Sequence, residues 1–202
     1  MKENLKTETD SIVIKVAESE IERRQVYQLR YEVFTLELND QRYADHEAKE
    51  FKDSDDVDGS ILIVAKFENR VIGSVRLKPL KIRNFIGVED YGFEQLAEFL
   101  AIETDQLLPI VGVLDRFVFV KDFRKGRALY RRLLDEWDNQ AANCGVRVVV
   151  GAVNAGNSRL RNFYKRFLGY NEYPVVRTRD GKQFQCVYRL LNDELGGADV
   201  RV

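Results

Sequence analysis

Residues 111–142, VGVLDRFVFV KDFRKGRALY RRLLDEWDNQ AA, decide how the rest of the chain is read. Val111, Val113, Phe117, Val118, Phe119 and Val120 are strand-forming residues, interrupted by the charged pair Asp115 and Arg116, which predicts a buried strand carrying two charges. Farther on, Leu129, Leu133, Leu134, Trp137 and Ala141 recur at spacings of three and four, the pattern of a helix with one apolar face. Between strand and helix lies a basic glycine turn, Arg124, Lys125, Gly126, Arg127 and Ala128. The spacing starts the helix within that turn. The free backbone N–H groups of its first turn, with three cations beside them and a glycine allowing close approach, make a site suited to an anion such as phosphate.

A second stretch follows the same plan. Gly145 to Val153, containing VRVVVGAV, reads as a buried strand, and Asn154, Ala155 and Gly156 turn it into a helix beginning NSRLRNFYKRFLGY at Asn157. Leu160, Phe163, Tyr164 and Phe167 fall on related faces of that helix. Two strand–turn–helix units in tandem point to an α/β protein.

Together these stretches resemble the GNAT acyltransferase superfamily. The strand, the basic glycine turn and the helix are similar to its acyl-coenzyme A signature, with Phe119 five residues before Arg124 and with Asp122 and Phe123 in the acidic and aromatic places. RKGRA is one residue shorter than the common signature. Asn157, Tyr164, Gly169 and Tyr170 match the late motif of an asparagine, a tyrosine, and a glycine followed by an aromatic residue, with one extra residue between Tyr164 and Gly169. The resemblance implies a mostly antiparallel central sheet splayed at the donor site, with helices on both faces. It implies that Arg124 to Ala128 bind the pyrophosphate of the donor, and that backbone groups of Phe117, Val118 and Phe119 polarise the thioester carbonyl. It also implies that Asn157 contacts the pantetheine arm and that Tyr164 protonates the leaving thiolate. Asp115 stands four residues before Phe119, where many members carry a glutamate base.

A narrower resemblance runs through the N-terminal half, to the acyl-homoserine lactone synthases and the N-acyl amino acid synthases. Arg30, Val33 and Phe34 match the Y-x-x-R-x-x-V-F segment at Tyr27, and Asp53, Asp55 and Asp58 stand in the places of E-x-D-x-x-D. Gly73 to Leu77 match G-S-x-R-L, and Asp115, Arg116 and Phe117 are similar to S-R-F, while Val113 replaces the branch's glutamate. The branch implies an acceptor side formed by Arg30, Phe34, Asp55, Asp58 and Arg76. The bare alternative for the DSDDVDG run is a solvated acidic loop.

The remainder sets limits. With 202 residues the chain is long enough for one substantial core, and the expected organisation is a single domain over 11–192 with flexible ends at 1–10 and 193–202. A formal net charge of -1 argues against a general nucleic-acid binder. No apolar run approaches the about 20 residues needed to span a bilayer, and the polar start MKENLKTETD does not read as a signal peptide. The expected location is cytoplasmic, without integral membrane contact. Cys144 and Cys186 lack metal-ligand spacing and read as free thiols, and His46 reads as a surface residue; no metal is expected. A strand is expected over Ser11 to Ala17, and a helix from the Ser19/Glu22 capping box through about Leu38. Hairpins are expected around Glu68, Asn69 and Arg70 and around Asp180 and Gly181, and a further helix over Phe93 to Ile102.

The function implied is N-acyl transfer from acyl-coenzyme A, acetyl-coenzyme A included, or from acyl-4'-phosphopantetheine on an acyl carrier protein. The acceptor is a small-molecule amine such as an amino acid. Lys121, Arg124, Lys125, Arg127, Arg131 and Arg132 suit coenzyme A phosphates and an acidic carrier protein equally. A catalytically silent module that binds acyl thioesters is the alternative from a different class.

Overall fold

The computed structural model describes residues 11–56, 59–81, 91–179 and 181–191. In chain order the elements are β1 (Ile12–Val16), α1 (Glu20–Arg30), β2 (Ala44–Asp45), β3 (Glu50–Phe51), β4 (Ile61–Phe67) and β5 (Arg70–Pro79). After them come α2 (Phe93–Leu100), α3 (Thr104–Leu107), β6 (Val111–Phe119), α4 (Arg127–Asn143), β7 (Val148–Asn154), α5 (Ser158–Leu168), β8 (Asn171–Arg179) and β9 (Lys182–Leu190). The main sheet has seven strands in the order β1-β4-β5-β6-β7-β9-β8, and β2 with β3 forms a separate two-stranded ribbon. The recorded pairs β1–β4, β4–β5, β7–β9 and β8–β9 are antiparallel, and β6–β7 is parallel. This is the mixed α/β, mostly antiparallel sheet that the resemblance implies.

The chain forms two compact units, Met1–Leu77 with Asp115–Gln140, and Lys78–Leu114 with Ala141–Val202. In the first, α1 starts with a complete capping box: the Ser19 hydroxyl accepts from the Glu22 N–H, and the Glu22 carboxylate accepts from the Ser19 N–H. The helix does not keep its α form to Leu38. From Tyr31 to Glu37 it widens into a π-helix, a form concentrated at functional sites and invisible to a 3.6-residue periodicity. Val26, Tyr27, Leu29 and Val33 pack on Leu62, Val64, Val71 and Val118 of the sheet.

On the other face of β5 and β6 sit Gly73, Phe117 and Phe119. A Cβ on Gly73 would lie 2.2 Å from the Phe119 ring, so the glycine is what lets that ring lie flat on the neighbouring strand. Phe119 in turn packs on Tyr130 of α4 with centroids 4.6 Å apart. All five residues of the expected α4 face, Leu129, Leu133, Leu134, Trp137 and Ala141, are buried. The Trp137 indole donates to the Arg76 carbonyl at 3.2 Å.

In the second unit, α2 packs Phe93, Leu96, Ala97 and Leu100 onto Val111, Val113, Val148 and Val150. The parallel pairing of β6 with β7 comprises Val111–Val148, Gly112–Val149 and Val113–Val150. The strand of this unit begins at Val148 rather than Gly145, whose φ of +77° closes the preceding helix instead. The α5 face is less buried than its periodicity suggests: Leu168 is buried, while Leu160 is 38% exposed. No helix among the described residues is long and apolar enough to cross a membrane.

Candidate active site

The first unit buries an unusual amount of charge, and the tight turn Ser54–Asp56 explains its order. In such a turn residues three apart share a side, so Asp53 and Asp56 face the same way. Around them stand three arginines. Arg30, fully buried at the end of α1, donates to Asp56 at 2.7 Å. Arg76 of β5 donates to Asp53 at 2.5 and 3.1 Å and lies 3.0 Å from Asp56. It also grips both carboxylate oxygens of Asp115, at 2.8 and 2.9 Å. Arg116 donates to Asp53 at 2.6 Å. Burial works against the Arg76 charge, but Asp115, Asp56 and Asp53 together hold the guanidinium well above its ordinary value. Burial also opposes the Asp53 charge, yet Arg76 and Arg116 hold that carboxyl well below the usual carboxylate range. Arg30 is pushed below its ordinary value by its burial, against the pull of Asp56. Its Nε and Nη2 have no hydrogen-bond partner among the described residues.

Within this cluster the Asp115 side chain keeps 23% exposure, against 4% for Asp53 and 1% for Asp56. Asp115 is thus the partly exposed aspartate of the cluster, with its charge anchored by Arg76. Each Asp115 oxygen keeps a lone pair beyond the one it gives Arg76, so the anchored carboxylate can still accept a hydrogen bond from an amine and orient it. Among the described residues no group of three or more histidine, cysteine or acidic side chains is arranged to hold a metal ion.

β6 delivers these groups by an irregularity. An extended strand alternates its side chains, yet the neighbours Asp115 and Arg116 both reach the aspartate cluster, while Phe117 and Phe119 turn to α4. Arg116 has a φ of +53°, in the left-handed region that breaks the regular alternation of the strand.

The basic glycine turn follows directly. Lys121–Phe123 form a single tight turn and α4 begins at Arg127, with no acidic residue in its first turn. Lys125, Gly126, Arg127 and Ala128 are all exposed. The helix dipole, the free N–H groups and the flanking cations are therefore accessible to an anion. Arg124 is occupied differently: its Nε donates to the Phe119 carbonyl at 2.8 Å, and its two terminal nitrogens clasp Glu37 at 2.6 and 2.8 Å. It braces the turn against β6 and the π-helical end of the first helix.

In the second unit, Asn157 is the N-cap of α5, with its carbonyl oxygen accepting from the Leu160 N–H at 3.0 Å. That leaves its amide nitrogen outside the cap. Tyr164 is half-buried, 5.3 Å from the Tyr170 ring and packed over Gly151, whose Cβ position is 3.9 Å from the tyrosine ring.

Of the acceptor-side residues, Arg30 and Arg76 enter the charge cluster, and Phe34 stacks under the Arg116 guanidinium at 5.7 Å. Asp55 is buried, and its backbone N–H donates to the Asp53 carboxylate at 3.0 Å. Asp58 lies outside the described residues. The sequence reading missed Asp56, whose signal was its three-residue spacing from Asp53, and Glu37, for which the sequence holds no local signal. His46, exposed, shares a 2.9 Å hydrogen bond with Tyr31.

Comparison with known proteins bears on the fold. The chain resembles the CoA-dependent acyl-homoserine lactone synthase BjaI, solved with SAM and isopentyl-CoA, with a TM-score of 0.68 at 17% identity, covering 90% of this chain and 84% of that one. TofI, solved in a ternary complex with an inhibitor and MTA, gives 0.63 at 16% identity, covering 90% and 92%. The AHL synthase LasI gives 0.62 at 11% identity, covering 90% of each. At such identities the likeness is one of fold. No curated protein matches the sequence. The family model described as an acetyltransferase (GNAT) domain matches residues 29–134, more than half of the 202-residue chain, and the protein therefore belongs to the GNAT acetyltransferase family.

Proposed function

We propose that this protein transfers an acyl group from an acyl thioester, on coenzyme A or on a carrier protein, to the amine of a small molecule such as an amino acid. The observation that carries the reading is Asp115: a partly exposed carboxylate, held by the buried Arg76, on the strand that runs into the exposed basic turn at the start of α4. Phosphates of the donor bind at Lys125, Gly126, Arg127 and Ala128, where helix N–H groups and cations converge. Arg124 supports that site by fixing the turn to Phe119. BjaI, solved with isopentyl-CoA, supports a coenzyme A thioester as the first donor to test.

Asp115 accepts a hydrogen bond from the attacking amine and orients it. The amine nitrogen forms a bond to the thioester carbonyl carbon, charge collects on the carbonyl oxygen, and backbone N–H groups of Phe117 to Phe119 stabilise it. The carbon–sulfur bond then breaks. The thiolate takes a proton, for which Tyr164 is the proposed donor, and the amide nitrogen loses one to water. Asn157 is proposed to meet the pantetheine arm through its amide nitrogen. Val113 is fully buried and paired with Val150, so the carboxylate that the lactone synthases carry there is absent, which favours an acceptor other than theirs.

Thermal shift with acyl-coenzyme A donors from acetyl to palmitoyl, followed by free-thiol release with pooled amino acids, tests the reading. Stabilisation by at least one donor, with thiol release only when an amine is present, is expected. Stabilisation by none of the donors, nor by the same acyl groups on carrier protein, would remove the donor site.

A further inference from the structure

Asp115 and Arg116 are adjacent in sequence yet reach the same buried aspartate–arginine cluster, which a regular strand does not allow. The step that permits it is the left-handed backbone of Arg116, φ +53°, a conformation disfavoured for any L-residue bearing a Cβ. Such a conformation persists where surrounding contacts over-determine it, and the Arg116 side chain has them. Its guanidinium donates to Asp53 at 2.6 Å. It also lies over three aromatic rings, Phe51, Tyr43 and Phe34, at 5.0, 5.2 and 5.7 Å. Phe51 lies in β3, Tyr43 in the turn just before β2 and Phe34 in the π-helical turn, so a separate part of the same unit holds the strand from outside.

We infer that Arg116 is a positioning residue, whose side chain, seated among Phe34, Tyr43, Phe51 and Asp53, holds β6 in the left-handed turn that delivers Asp115 to Arg76. Arg116 touches no reacting atom in this account. Its work is to fix the backbone, and through it the carboxylate that orients the acceptor amine, so the inference rests on the acyl-transfer reading for its catalytic consequence only.

Backbone and side-chain roles separate by substitution. Arg116→Gly, Arg116→Asn and Arg116→Ala all remove the guanidinium, but glycine adopts the left-handed conformation freely and asparagine readily, whereas alanine does not. Two readouts are taken on the full chain: hydrogen exchange of the peptide spanning 111–120, and the rate of thiol release from the best acyl-coenzyme A with pooled amino acids. Protection and kcat are expected to rank glycine, then asparagine, then alanine, all below the parent protein. The glycine variant should exceed the alanine variant by roughly tenfold in kcat, with the donor KM alike. Equal protection in the glycine and alanine variants would overturn the inference, as would a ranking that follows melting temperature alone. Should the parent protein release no thiol with any donor, the proposed function falls, and the exchange ranking still decides the role of Arg116. Should Arg116→Ala fail to fold, the same comparison is read between the glycine and asparagine variants and an Asp53→Asn variant, which must also lose protection over 111–120.

Discussion

Asp115 spends both carboxylate oxygens on Arg76 and still faces solvent, which ties its chemistry to its neighbours. Asp115→Asn, which removes the charge that Arg76 holds and weakens the orientation of the amine, is expected to lower kcat by about 100-fold and to leave the affinity for coenzyme A unchanged, measured by thiol release and calorimetric titration. An unchanged kcat would remove Asp115 from the reaction. Arg76 carries a structural burden besides: Arg76→Met leaves Asp53, Asp56 and Asp115 without their shared cation. A destabilisation of about 3–5 kcal/mol is expected by urea unfolding. At this scale the sequence was half legible. Arg30, Phe34, Arg76 and Asp115 could be picked from the resemblance, and the structure gathers them around the charge cluster. The partner of Arg30 was missed, since the three-residue spacing of Asp56 from Asp53 puts them on one side only once Ser54–Asp56 forms a tight turn. The left-handed backbone at Arg116 was hidden for a different reason: glycine, and less strongly asparagine and aspartate, mark positive φ in a sequence, and here an arginine adopts it.

At the scale of elements, the strongest periodic signals survive intact. The capping box at Ser19 and Glu22 forms as spaced, and the apolar face of α4 is buried at every expected position. Helices that bury only part of their face, such as α5 with its exposed Leu160, or that change pitch, as after Arg30, exceed what periodicity alone specifies. The contact of α4 with the sheet depends on a residue that carries no side chain. Gly73→Ala would place a methyl group against the Phe119 ring, and that ring is confined by Phe117 and Tyr130. A loss of roughly 1–3 kcal/mol is expected, read from the shift in urea midpoint. A neutral outcome would mean that the ring has somewhere else to go, and with it that the packing beneath the donor turn is looser than described.

For the whole molecule, the buried charge cluster makes stability depend on pH. The Asp53 carboxyl is depressed below its ordinary value of 3.8 in the folded protein, so the unfolded chain binds the proton more readily. Its contribution is therefore complete above that ordinary value and is lost as the pH falls through the lower folded value. Glu22, held at about 2 chiefly by its hydrogen bond from Lys66, loses its contribution between 4.5 and about 2. Urea midpoints between pH 7 and 2 should fall steeply below about pH 4, and Glu22→Gln should narrow its gap from the parent protein toward the acid end. A flat profile would mean that these pairs do not hold the fold. What acts on which substrate is the larger claim, and mass spectrometry of an amino-acid pool incubated with the protein and a panel of acyl-coenzyme A donors tests it most directly. The account predicts one amine gaining the mass of the acyl group, in step with the thiol released. Thiol released without any acylated amine, or no acylated product from any donor, would contradict it.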